Sequence, residues 1–293
     1  MIRLQLEPRA HTPAWLNLAL PLAALLATLV LCGGLVMLAG ADVLEAYGAL
    51  FRGALGSRFN LIETIVKASP LVFTGLAVAV AFRAKFWNIG AEGQLLAGAM
   101  AAAFIGAREF LPGWSLVPAM ILGGALAGAA AATLPAVLKV RYRVDDVVAT
   151  LMLNFVIFYA MMALLDGPWK DPLSGYPDSP DIRMDAEYPM LLQATRMHLG
   201  VLLAAVGAVL TWLLMTHTTL GFVIAMLARL NPLGVVPAAL FFAAIATGAE
   251  NMSRQTGVPV FLADVIQGTS LICMVAALLF TSYRLRIRRT AAG

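Results

Sequence analysis

An all-α, polytopic transmembrane bundle is the fold class this sequence predicts, and three observations predict it. Hydrophobic residues make up 61% of the 293, with a mean hydropathy of +0.87. Charged residues make up 12%, well below the ~25% of a soluble domain. Apolar runs near the ~20 residues a helix needs to cross a ~30 Å hydrocarbon core recur along the chain, without the period-two alternation of a membrane barrel.

Eight segments meet that length, at about 14–40, 61–82, 87–107, 115–138, 145–165, 198–216, 232–249 and 262–283. They form one transmembrane domain with discontinuous helices. The first exceeds the roughly 7–15 residues of a signal-peptide core and reads as a retained span. The second holds Glu63 and Lys67 at i, i+4 with the acid first, the favourable order for a neutralising helical pair. The third is rich in glycine and small residues. In the fourth, Gly124 and Gly128 make a GxxxG step for close helix packing. The fifth opens on Asp145 and Asp146 after "KVRYRV", where carboxylates complement the helix dipole and pair with arginines. The seventh and eighth flank "NMSRQTGVPVFLA", around which Glu250, Arg254 and Asp264 pair at the surface.

Two connections carry more than a turn. "ADVLEAYGALFRGALGSRF" (41–59) repeats Val43, Leu44, Tyr47, Leu50, Phe51 and Leu55 at helical spacing, which predicts a helix lying in the membrane interface. The stretch 166–197, beginning "DGPWKDPLSGYPDSPDIRMDAEYP", is rich in Pro, Asp and Gly and is the one long soluble loop. Loops of this length are commonly functional, and a periplasmic partner is one occupant for it. Arg83 with Lys85, "KVRYR" at 139–143 and "RLRIRR" at 284–289 are placed in the cytoplasm by the positive-inside rule, which puts both ends of this chain there. That orientation, rather than a nucleic acid partner, accounts for the net charge of +4.

Several chemistries find no pattern here. There is no Walker A, GxGxxG or GxSxG motif, so a nucleotide such as ATP with Mg is expected on a partner and no cofactor in this chain. Cys32 and Cys273 lie inside apolar runs, and His11, His198 and His217 are far apart, which gives neither a disulfide framework nor a metal site.

Polar residues inside the apolar runs need a reason, because a charge at a helix centre costs at least ~2.5–3.5 kcal/mol. "NIGAEGQ" sets Asn88, Glu92 and Gln94 around Gly90 and Gly93 at the head of the third run. A broken membrane helix looks like this, its freed amides and new N-terminus offering donors to an electronegative solute. An ordinary cytoplasmic turn in which Glu92 caps the next helix is the competing reading. Asn154 and Gln267 lie deeper in their runs, as interhelical glue or as pathway lining. "ARLNPLGVVPAALFFAAIATGA" (228–249) echoes the pattern weakly, with Asn231 and Gly234 as a second interruption.

Taken together, "ETIVKASPLVFTGLAVAVAFRAKFWNIGAEGQLLAGAMAA", "LKVRYRVDDVVATLMLNFV", "GPWKDP", "LARLNPLGVV" and "VIQGTSLI" resemble the inner-membrane permease subunits of bacterial ABC importers for nucleosides and simple sugars. These belong to the ribose and branched-chain amino-acid permease family. The resemblance runs from about residue 60 to 282. It implies about ten spans, two permease subunits, identical or homologous, two cytoplasmic ATPases and an extracytoplasmic substrate-binding lipoprotein, set in membrane lipid. It also implies a substrate route along Asn88, Gly90, Glu92, Gly93 and Gln94, with Asn154 beside it, and no covalent chemistry. After Thr219, Leu220, Gly221 and Phe222, the ATPase-facing stretch, the family continues with a coupling helix and further spans. This chain passes straight to "VIAMLARLNPLG", so on the order of sixty residues, two spans with their loops, are missing. A proton-coupled transporter using Glu63, Glu92 or Asp264 remains the alternative, and an intramembrane enzyme lacks paired catalytic residues.

Overall fold

The structure, a computed structural model, describes residues 2–8, 15–109, 111–170, 175–179, 181–192, 195–217 and 234–289. Among these, a short strand β1 (Ile2–Pro8) precedes α1 (Leu16–Leu38), α2 (Val43–Leu55), α3 (Arg58–Arg83), α4 (Ala91–Gly106), α5 (Gly113–Tyr142) and α6 (Asp146–Asp166). Then come α7 (Leu199–His217), α8 (Val235–Thr256), α9 (Leu262–Ser282) and the strand β2 (Tyr283–Arg289). Among the described residues six helices are long and apolar enough to cross a membrane, and α4 and the Asp264–Ala277 part of α9 are shorter apolar helices. Among the described residues, each of the eight apolar segments of the sequence overlaps one helix, and six of these helices are of spanning length. The strands are an addition to the expected helical bundle. They pair antiparallel from Ile2↔Arg289 to Pro8↔Tyr283.

The chain divides into two compact units, Met1–Thr64 with Phe241–Gly293, and Ile65–Leu240. In the first, α1 packs along α9, and Cys32, Val36, Ala49, Met252 and Ile266 are buried in its core. The helix α2 begins where Asp42 accepts the Glu45 N–H at 2.8 Å, the N-cap that "D-x-x-E" signals. Its apolar stripe divides: Ala46, Ala49, Leu50 and Gly53 are buried, whereas Leu44, Phe51 and Leu55 are exposed. The small residues allow close approach, and the Asn251 amide donates to Ala49 O at 2.7 Å. The Tyr47 hydroxyl donates to Leu29 O at 2.6 Å; burial, with a smaller contribution from Cys32, pushes its pKa up to about 12, so it stays protonated and donating.

In the second unit Val72 and Leu76 of α3 meet Ala204 and Ala208 of α7 and Ala239 of α8. The helices α4 and α5 pack closely. A Cβ added at Gly98 would stand 3.0 Å from Gly124 O, and one at Gly128 3.2 Å from Gln94 O. The GxxxG step of α5 therefore serves backbone-to-backbone packing, as its spacing implies. The long loop is partly folded onto this pair. The Arg183 N–H donates to Gly106 O at 3.0 Å, its guanidinium to Leu111 O at 3.2 Å and to Asp185 at 2.9 Å, and Ala186 in the turn Met184–Ala186 is buried.

Substitution of Gly98 by Val is expected to lower stability by about 1–3 kcal/mol, because the added atoms meet a helix backbone that cannot give way. Gly34→Ala, where nothing lies within 4 Å of the added carbon, is expected to be neutral or stabilising by up to ~1 kcal/mol. Thermal unfolding of the two variants in one detergent checks the difference.

Candidate functional site

The residues singled out in "NIGAEGQ" lie in the second unit, in the connector 84–90 and the first turn of α4. The helix α3 ends with Lys85 in the left-handed conformation, φ 55°. There the Phe86 N–H bonds to Ala81 O and the Lys85 N–H to Phe82 O, a Schellman ending with lysine where glycine is usual. The backbone from Trp87 to Gly90 is not helical. Its donors lie beside apolar helices, where each must find an acceptor within the protein.

One face of α6 supplies those acceptors. Asp146, Thr150 and Asn154 follow each other at i, i+4 and i+8 and so project from one side of the helix. Asp146 Oδ2 accepts the Trp87 N–H at 2.6 Å, Thr150 Oγ1 the Ile89 N–H at 3.2 Å, and Asn154 Oδ1 the Gly93 N–H. The Lys139 ammonium joins the lower end, donating to Asp146 Oδ2 at 2.6 Å and to Lys85 O at 2.7 Å. Asp146 therefore pairs with Lys139 rather than with an arginine; Arg141 stands with Lys139 in the last turn of α5, and Arg143 is the C-cap of that helix. Asp145 is the N-cap of α6, accepting the Val148 N–H at 3.0 Å. The glycines are needed for this contact: a Cβ at Gly90 would lie 2.6 Å from Thr150 O, and one at Gly93 2.9 Å from Asn154 Cα.

Held in this way, Asn88 and Gln94 pair with each other. Asn88 Nδ2 donates to Gln94 Oε1 at 2.9 Å and Gln94 Nε2 to Asn88 Oδ1 at 3.0 Å. Asn88 Oδ1 also accepts the Gly90 N–H at 3.1 Å. Each amide carries two N–H donors and two oxygen lone pairs, so this arrangement leaves one donor on each residue and one lone pair on Gln94 unused. Both residues line an open cavity of about 690 Å³ between α3, the connector, α4, α5 and α7. Its wall is mainly apolar, with Phe73, Phe86, Leu76 and Val80 among its residues, and Thr133 and Thr211 add hydroxyls.

The structure thus brings together Asn88, Gly90, Gly93, Gln94 and Asn154, with two of them at the cavity. Glu92 is exposed, does not cap α4, and meets Asn154 Nδ2 at 3.5 Å outside the cavity lining. Gly234 stands in open space at the head of α8, unlike the tightly packed Gly90 and Gly93. Asn231, Thr219, Leu220, Gly221 and Phe222 lie outside the described residues. Sequence reasoning missed Thr150, Phe86, Thr133 and Thr211. The i+4 spacing puts Thr150 on the same face of α6 as Asp146 and Asn154, but does not say which backbone it serves.

Apolar helices around a cavity that presents neutral amides define a multi-pass membrane permease. The chain belongs to the family described as branched-chain amino acid transport system / permease component, whose profile matches residues 60–228. Among its relatives, the glucose ABC transporter permease protein TsgB13 of Haloferax volcanii is 29% identical over 98% of this chain and 94% of its own. The guanosine ABC transporter permease protein NupP of Bacillus subtilis is 34% identical over 70% of this chain and 60% of its own. The nucleoside ABC transporter permease protein NupB of Lactococcus lactis is 28% identical over 66% and 56%. No solved structure matches the chain. The alignment with TsgB13 spans 358 positions, more than a 293-residue chain can fill. Its excess, on the order of seventy positions, is enough for two spans with their loops.

Asp146→Ala is expected to cost about 2–3 kcal/mol, since it strands the Trp87 N–H and removes a charged acceptor. A double-mutant cycle with Lys139→Met should return a coupling of at most ~1 kcal/mol, because the lysine is one third exposed. Unfolding in detergent of the three variants measures both quantities.

Proposed function

We propose that this chain is the permease subunit of an ATP-driven ABC importer that carries a nucleoside inward by alternating access. The observation that supports this reading is the cavity lining. A volume of about 690 Å³ lies within the ~300–1,000 Å³ of small-molecule sites. Its combination of apolar wall, two phenylalanines and a few amide and hydroxyl groups suits a planar heterocycle with hydrogen-bonding edges better than a bare sugar, whose hydroxyls demand a partner on every side. The names of NupP and NupB point the same way.

In this reading Asn88 and Gln94 are the substrate contacts, Gly90 and Gly93 permit the close approach to α6, and Asn154 positions the turn. Glu92 stands at the rim. ATP with Mg is hydrolysed on separate cytoplasmic subunits that meet Thr219, Leu220, Gly221 and Phe222, and the chain itself performs no covalent chemistry. Its further partners are a second permease subunit, identical or homologous, and an extracytoplasmic substrate-binding lipoprotein. Its place is the bacterial inner membrane with both ends of the chain in the cytoplasm. A proton-coupled mechanism fits less well, since among the described residues lining the cavity none is ionisable.

In vesicles holding the permease, its ATPases and receptor, guanosine uptake should require ATP and survive collapse of the proton gradient. Gln94→Leu should lower that uptake about tenfold or more at unchanged membrane level, the equivalent of one hydrogen bond of ~1.4 kcal/mol. Uptake driven by a proton gradient without the ATPases contradicts the proposal.

A further inference from the structure

A second cavity, of about 250 Å³, lies within the first unit, and the described residues that line it belong to α1, α2, α8 and α9. Leu29, Leu50, Ile245 and Ile266 stand in its walls, one from each helix. Among the described lining residues only Thr28 and Ser270 carry a polar side chain, and Thr28 spends its hydroxyl proton on Ala24 O at 2.8 Å. A water held here would lack the two to four partners it needs, and an apolar cavity of only ~150 Å³ already stays dry and takes up hydrocarbon. Left empty, the cavity forfeits the dispersion contacts of the atoms around it. A polar solute would go unpaired in it, so its occupant is apolar and distinct from the solute of the amide-lined cavity.

The mouth of this cavity is on α2, the helix whose spacing predicts a place in the membrane interface. Phe51 and Leu55 line the cavity and yet are 57% and 52% exposed, so they stand where it meets the surroundings of the helices. Arg52 precedes Leu55 by three residues, on the same side of α2. Its guanidinium folds back along the helix, with Nη1 3.3 Å from where a Cβ at Gly48 would stand. Among the described residues no ion pair holds it. The Asn60 amide donates to Arg52 O at 2.8 Å, which brings the first turn of α3, with its exposed Arg58, back beside the end of α2. A hydrocarbon slot next to two arginines matches a phosphate ester that carries an acyl chain. An apolar side chain of a partner protein would fill the slot and leave the arginines without a counter-charge.

We propose that this cavity is a phospholipid site: one acyl chain enters beside Phe51 and Leu55 and fills it, and the lipid phosphate is held by Arg52 with Arg58 beside it. The test incubates the full chain, in detergent, with phosphatidylglycerol carrying a diazirine midway along one acyl chain, irradiates it and maps the adducts by peptide mass spectrometry. Adducts should concentrate on the cavity residues of α2 and α8 rather than on the exposed Leu122 and Leu126 of α5, and excess unlabelled phosphatidylglycerol should lower them several-fold. Ala244→Leu, filling the cavity from α8, and Ser270→Val, filling it from α9, should each lower these adducts several-fold and leave those on α5 unchanged. Arg52→Gln with Arg58→Gln should weaken labelling of the cavity several-fold, and Arg52→Lys with Arg58→Lys should keep it. Adducts spread evenly over the exposed apolar residues, or confined to them, overturn the site and leave a partner's side chain as its occupant; this map of the unsubstituted chain decides the matter even where a filling variant fails to fold. Cavity labelling that survives in folded filling variants also overturns the site, and full labelling in the glutamine pair overturns the phosphate contact.

Discussion

Backbone N–H groups that leave a helix among apolar helices must find acceptors inside the protein, since hydrocarbon offers none. The connector 84–90 meets this requirement through α6. Asp146, Thr150 and Asn154 receive the N–H groups of Trp87, Ile89 and Gly93 in turn, and the position of Asn88 and Gln94 at the cavity follows from that docking. A bulkier residue at Gly90 or Gly93 would separate the connector from α6, and with it the amide pair from the cavity wall.

This arrangement also explains why neutral amides are the polar groups at the cavity. Asn88 and Gln94 pair with each other, so burying them costs less than burying two unpaired amides. They keep unused donors and a lone pair for a solute. A carboxylate at the same depth would need a counter-charge, and the Lys139 ammonium, paired with Asp146, is given to holding the backbone.

Much of this was legible in the residues. Run length marked the apolar helices, because the bilayer fixes how many consecutive apolar residues a span needs, and six of those described reach that length. Asp145 and Asp146 marked the start of α6, because carboxylates complement a helix N-terminus and that chemistry is local in sequence. The polar cluster at Asn88, Glu92 and Gln94 was conspicuous, but its division into cavity residues and an exposed Glu92 depends on which side of α4 meets α5 and α6. Thr150 was hidden for a different reason. A threonine in an apolar helix ordinarily returns its hydroxyl proton to the i−4 carbonyl, as it does here to Asp146 O at 2.7 Å, and nothing local announces that its lone pair serves a backbone 61 residues away. The seven-residue alternation of "YRLRIRR" was read as charge for topology, since a strand pairing joins segments that no local window compares.

The account rests on the cavity wall beside the stapled amide pair being the place where solute binds. Cysteine accessibility measures this most directly, in a chain otherwise without cysteine, with single replacements Thr133→Cys on the cavity wall and Leu134→Cys on the exposed side of the same helix. Guanosine should slow modification at position 133 several-fold and leave 134 unchanged. Equal modification rates at 133 with and without guanosine, in a preparation that still takes up guanosine, would contradict the account.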